Sequence, residues 1–277
     1  MFKALALIYC IWGFNWVVMR TAMDFFPPVT FVAYRFTFGA IVLLAIALHH
    51  RLPLPDKKLL PWIALVGALQ IAVSNIIIQL CIVELGAGLS AVLNYTMPLW
   101  VAILAKFFLG EDLTKRKIIG IVVAIVGLFI LMNADLSVHF GYILFALVAA
   151  ISFAIANIIF KLKLTKCNMV VFNTWQMITA AVILCVTAIV TDQEVGNFTA
   201  ISIGCILYNG FLASALAFFL WSYVLKQMQA SKASTALLAV PVVGVLSGVI
   251  FLGEPLTIAS VLGMLLILGG IATVVHN

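Results

Sequence analysis

Apolar residues fill the chain in blocks of about twenty, separated by short polar interruptions. Ten such blocks are predicted as spans: 3–23, 28–49, 60–83, 87–108, 116–133, 140–161, 168–190, 200–225, 232–252 and 258–276. As a helix, each reaches about 30 Å, the thickness of a bilayer's hydrocarbon core. The longest interruption runs from about His49 to Leu60 and has no room for a soluble domain. The predicted fold is an all-α, polytopic membrane protein of ten transmembrane helices. The first block is too long for a cleaved leader and lacks a small-x-small site, so it is expected to stay as a span.

Composition agrees with this pattern. Hydrophobic residues make up 66% of the 277 positions and charged residues 9%, against about 25% charged in soluble domains. Mean hydropathy is +1.28. A soluble enzyme, a disulfide scaffold and a disordered chain are excluded on these grounds. The net charge of +6 would suggest nucleic acid in a soluble protein, but here it marks one membrane face. If the N-terminus lies inside, the inner loops collect Lys3, Arg51, Lys57, Lys58, Lys106, Lys115, Arg116, Lys117, Lys161, Lys163, Lys166, Lys226 and Lys232. Only Arg20 and Arg35 are left toward the outer half. This asymmetry predicts an N-in, C-in topology. The five cysteines are scattered without a CxxC pair and read as free thiols.

An internal repeat organises the chain. At an offset of 143, Pro98 meets Pro241, Phe108-Leu109-Gly110-Glu111 meets Phe251-Leu252-Gly253-Glu254, and Thr114 meets Thr257. Gly120 meets Gly263, and Gly127 meets Gly270. Nearer the start of each half an offset of 141 pairs Trp16 with Asn157, Arg20 with Lys161 and Arg35 with Gln176. Residues 1–136 and 137–277 are therefore two copies of five spans. An odd span count inverts one copy relative to the other, the architecture by which many secondary transporters place a substrate site near the midplane.

The same residues resemble a known family. Trp12-Gly13-Phe14-Asn15, Arg35, and the two prolines each followed by Leu-Gly-Glu are similar, in order and over the whole length, to the EamA family of the drug/metabolite transporter superfamily. The resemblance implies a ten-helix exporter of amino acids or other small metabolites in the bacterial inner membrane. The second half departs from the pattern, with Phe153-Ala154 in place of Trp12-Gly13 and Gln176 in place of the arginine.

Polar groups inside a bilayer are costly and mark candidate sites. The first span carries Trp12, Asn15, Trp16 and Met19 at helical spacing, an amide among indoles that suits a zwitterion with an apolar or aromatic side chain. Asn157 and its aromatic neighbours stand at matching depth in the sixth span. Ser74, Asn75 and Gln79 turn the third span toward protein or water. Asn94 and Tyr95 lie one turn before Pro98. Trp175, Ser214 and Trp221 complete the candidate binding set. Each of these also has a plain structural reading as a helix clamp or packing residue. Pro98 and Pro241 are predicted hinges or cavity-shaping kinks. Arg20 is expected to pair with Asp24. Arg35 is open to two readings: a gate clamp with Glu84 or Asp24, or a site for a substrate carboxylate. Thr114 and Thr257 are expected N-caps of the fifth and tenth spans.

No HExxH, GxSxG or phosphate-binding loop is present, and His49, His50, His139 and His276 all stand at span ends. No enzyme, metal site or cofactor is expected. The expected partners are a small-molecule substrate and the lipid bilayer, with the chain a monomer or weak homodimer. The predicted function is export of neutral, hydrophobic or aromatic amino acids by facilitated diffusion. The alternatives are an exchanger or proton-coupled carrier of another metabolite or organic cation, and a channel-like subunit.

Overall fold

A computed structural model of the chain describes residues 1–131, 140–252 and 256–275. Among these, every regular element is helical. The first half runs α1 (Phe2–Ala22), α2 (Pro28–His49), α3 (Leu60–Val66), α4 (Ser74–Asn94), α5 (Met97–Leu109) and α6 (Lys115–Leu131). The second runs α7 (Phe140–Ile159), α8 (Met169–Val190), α9 (Ala200–Leu207), α10 (Ala217–Gln227), α11 (Ala230–Ala236), α12 (Ala239–Leu252) and α13 (Ile258–Val275). Wider π-helical turns at Gly67–Val73 and Tyr208–Leu216 join α3 to α4 and α9 to α10. The 136/137 boundary, Gly253, Glu254, His139 and His276 lie outside the described residues.

The helix ends follow local chemistry. Pro28 opens α2 at the first helical position, where its missing N–H costs nothing. The Thr114 hydroxyl accepts from the Lys117 N–H at 3.3 Å, and Thr257 does the same for Ser260 at 3.1 Å, so both expected caps are present. Gly110, at φ +66°, closes α5 in the left-handed conformation.

Two features differ from the hydropathy reading. The backbone stays helical from Ser74 to Asn94, so no break separates the third and fourth spans near residue 85. The break comes instead at Tyr95–Thr96, with a matching one at Leu237–Leu238. Proline explains both, because its ring clashes with the carbonyl four residues earlier. Those residues are Asn94 for Pro98 and Leu237 for Pro241. The prolines thus sit in the first turn of a new helix and do not kink a continuous one. Among the described residues, eight helical runs are at least 18 residues long and apolar enough to cross a membrane, while α5 with 13 residues and α6 with 17 are shorter.

Packing links the two halves. α1 lies on α12, and α7 lies on α5. α2 and α8 pack on each other, and each also meets the other half's π-helical turn. There Gly67 and Gly210 allow close approach. The Gln176 carbonyl occupies the place a Cβ on residue 67 would need, and the Arg35 carbonyl comes within 3.0 Å of one on residue 210. The largest apolar cluster draws on both halves, with Ile8, Val101 and Leu128 meeting Phe160, Phe172 and Trp221. The periphery carries exposed Phe107, Ile189, Ile250 and Ile258. Such a surface is unfavourable in water and suited to lipid.

Candidate functional site

A cavity of about 750 Å³, counting its open mouth, lies between the halves. α1 contributes Trp12, Asn15, Trp16 and Met19 along one helical face, the 3–4 residue spacing that puts them in line. α2 contributes Arg35. α4 contributes Ser74, Asn75, Ile78 and Gln79. The break before Pro98 turns Asn94 and Tyr95 to the wall, and Met97 follows. From the second half come Phe153, Phe218 and Leu237, the last at the second break.

The wall combines aromatic surface with a few polar atoms in contrasting states. The Trp16 and Tyr95 rings lie 6.2 Å apart at 57°. The Trp12 indole N–H is tied to the Ala213 carbonyl at 2.9 Å, leaving its ring for the cavity. The Ser74 hydroxyl is spent on the Ala149 carbonyl, and the Asn75 amide N–H on Ile71 in its own helix. Asn15 Oδ1 and Gln79 Oε1, by contrast, are buried acceptors with no partner among the described residues.

Arg35 is 3% exposed. Its Nε donates to Ser214 Oγ at 3.1 Å, and one terminal nitrogen reaches the Met19 sulfur at 3.4 Å. The guanidinium sits 4.5 Å from the centre of the Phe36 ring. Neither expected acidic partner reaches it. Glu84 is exposed on α4, and Asp24 pairs with Arg20 at 3.3 Å on the surface, one turn along the helix. The clamp reading of Arg35 is therefore not what the structure holds.

One end of the cavity is sealed. Trp12 packs edge-on to Phe218 at 5.5 Å and stands 6.4 Å from Trp221. Beneath them, Asn157 Oδ1 accepts from Gln70 Nε2 at 2.9 Å and from Trp221 Nε1 at 3.1 Å. One turn further out, Lys161 donates to the carbonyls of Leu225 and Met228 at 3.1 and 2.8 Å. Glu111 accepts from the backbone N–H groups of Ala230 and Ser231, capping α11. Lys117 bonds Gln229 and Ser231. Of these contacts, Trp12 with Phe218 and Trp221, Gln70 with Asn157, Glu111 with Ala230 and Ser231, and Lys117 with Gln229 and Ser231 cross from one half of the chain to the other, while Asn157–Trp221 and the Lys161 bonds stay within the second half.

Eight of the twelve predicted binding residues thus line one cavity. Asn157, Trp175, Ser214 and Trp221 do not. Asn157 and Trp221 are spent on each other in the seal, Ser214 stands behind Arg35, and Trp175 packs against the apolar core. Of the predicted gating residues, only Arg35 reaches the wall. Arg20 and Glu84 are surface groups, and the two prolines act through the breaks they impose. Met19, Ile78, Met97, Phe153, Phe218 and Leu237 were missing from the predicted set. The α1 spacing pointed to Met19 and the repeat to Phe153, which aligns with Trp12. No signal marked the others.

Known proteins bear on this geometry. The sequence profile of the EamA-like transporter family matches the chain twice, over 3–133 and 140–276. The uncharacterized transporter YoaV of Bacillus subtilis (strain 168) is 34% identical over 94% of this chain and 91% of its own. A probable amino-acid metabolite efflux pump of Salmonella typhimurium is 24% identical over 96% of this chain and 91% of its own. The uncharacterized inner membrane transporter YedA of Escherichia coli K12 is 27% identical over 93% and 84%. A crystal structure of another protein, at 17% identity, superposes with a TM-score of 0.81, covering 98% of this chain and 94% of that one.

Proposed function

The chain belongs to the EamA-like transporter family, and on that premise we propose that it exports neutral amino acids by alternating access around the cavity. It is a multi-pass integral protein of the inner membrane. The carrying observation is a cavity walled by both halves, with aromatic rings around the Asn15 amide and a polar seal at one end. A fixed pore has no need of a seal that joins its halves by hydrogen bonds. The Salmonella relative, a probable amino-acid metabolite efflux pump, supports the amino-acid assignment, and the indoles of Trp12 and Trp16 support a hydrophobic or aromatic side chain.

We read the architecture as ten spans in two inverted copies, 1–136 and 137–277. The double profile match supports the duplication, and the exchanged pairings of α1 with α12 and α7 with α5 support it in space. The positive-inside bias supports an N-in, C-in orientation, under which the sealed end faces the cytoplasm. Among the described residues no carboxylate or histidine lines the cavity, and this favours facilitated diffusion over a proton relay.

Counterflow in proteoliposomes loaded with single amino acids tests the proposal. Saturable exchange of a hydrophobic or aromatic amino acid, lost in Asn15→Ala, is the expected result. Absence of exchange for every amino acid, from protein shown to be folded, overturns the substrate assignment.

A further inference from the structure

We propose that Arg35 is the carboxylate subsite of the cavity and that the substrate supplies the counter-ion that none of the described residues provides. The inference rests on the carrier reading and names which end of the substrate is held where.

Arg35 is a full charge buried within the bundle, where an unpaired ion is strongly unfavourable. Its two hydrogen bonds use two of five N–H groups, and one goes to a thioether, a weak acceptor. Ser214, Met19 and the Phe36 ring fix the guanidinium in place without neutralising it. No carboxylate of the described residues lies within 4.0 Å. The remaining donors border a cavity large enough for a small metabolite. A planar fork of donors matches a carboxylate.

The other polar atoms of the wall define the rest of the ligand. Asn15 Oδ1 and Gln79 Oε1 can only accept, so they would repel a second anionic group and suit an ammonium. A single arginine also leaves a dianion half-neutralised, which disfavours a phosphate ester. Gln176, at the repeat position of Arg35, is neutral and donates to Asn173 at 2.8 Å inside the bundle. The charge is therefore one-sided. A zwitterion held between Arg35 and the α1 and α4 amides leaves its side chain to Trp16 and Tyr95.

The test is counterflow exchange of four probes sharing one ring: phenylalanine, its amide, phenethylamine and phenylpropionate. Wild type is compared with Arg35→Gln and Arg35→Lys, each shown to be folded by thermal melting. Loss of a charge-assisted pair raises KM by about 10- to 100-fold. The expected result is that increase for phenylalanine and phenylpropionate in Arg35→Gln. Arg35→Lys should recover part of it, and the KM for the amide and the amine should not change. Exchange of phenylpropionate without phenylalanine, lost in Arg35→Gln, would sink the amino-acid assignment while sustaining the subsite. The subsite is overturned by unchanged KM values in Arg35→Gln. It is equally overturned if wild type takes the amine or the amide as well as phenylalanine, or exchanges no carboxylate at all.

Discussion

Trp221 donates its indole N–H to Asn157 Oδ1 at 3.1 Å, and the same oxygen accepts from Gln70 at 2.9 Å. One fully buried amide thus ties α7 and α10 to the turn that joins α3 to α4. In Asn157→Ala two buried donors lose their acceptor, at about 1–3 kcal/mol each. Those bonds belong to the conformation sealed at this end, so their loss favours the opposite one. A single cysteine at Phe153, in a cysteine-free background, should then label faster from the cytoplasmic side than in the parent. An unchanged rate would remove the seal from the transport cycle.

Trp16 and Tyr95 face one another across the cavity wall at 6.2 Å. Aromatic pairing adds about 0.5–1.5 kcal/mol beyond burial. Trp16→Ala should raise the KM for aromatic amino acids several-fold and that for alanine much less. Equal losses for both would show that Trp16 shapes the wall without reading the side chain.

Glu111 caps α11 from the other half of the chain through the N–H groups of Ala230 and Ser231. Glu111→Gln keeps the shape and removes the charge that strengthens those bonds. The melting temperature in detergent should fall, reflecting a loss of about 1–3 kcal/mol. The order of preference among substrates should stay that of wild type, because Glu111 does not line the cavity.

α6 and α13 meet along glycines. A Cβ on Gly127 would come within 2.8 Å of the Gly263 carbonyl, and one on Gly120 within 2.8 Å of the Gly270 carbonyl. Membrane helices rely on such close approach, since lipid removes the hydrophobic drive to associate. Gly127→Leu should separate the pair and lower thermal stability, while protein that remains folded keeps its substrate preference. A changed preference would connect this seam to the cavity.

Much of the wall was legible because it depends on local spacing. Trp12, Asn15, Trp16 and Met19 share a helix face wherever α1 is placed, and Pro98 marks Asn94 and Tyr95 as a break. Phe218 and Leu237 were not legible, because their exposure to the cavity follows from how α10 and α12 pack against α1. Asn157 shows the limit of repeat alignment. It matches Trp16 in depth along the helix but is turned into the seal by Gln70 and Trp221. The boundary between the third and fourth spans was misplaced at residues 84–86, where span length suggested a connection and the backbone remains helical.

Pro98 has no N–H, so the Asn94 carbonyl cannot receive the bond that a continuous helix would give it. That oxygen belongs to a residue of the cavity wall, and its polarity is common to all twenty amino acids at position 94. An alanine scan of the wall will therefore leave part of the substrate's polar surroundings untouched, and residual transport in multiply substituted protein is to be expected. Altering that contribution requires replacing the proline, which acts on a carbonyl four residues away.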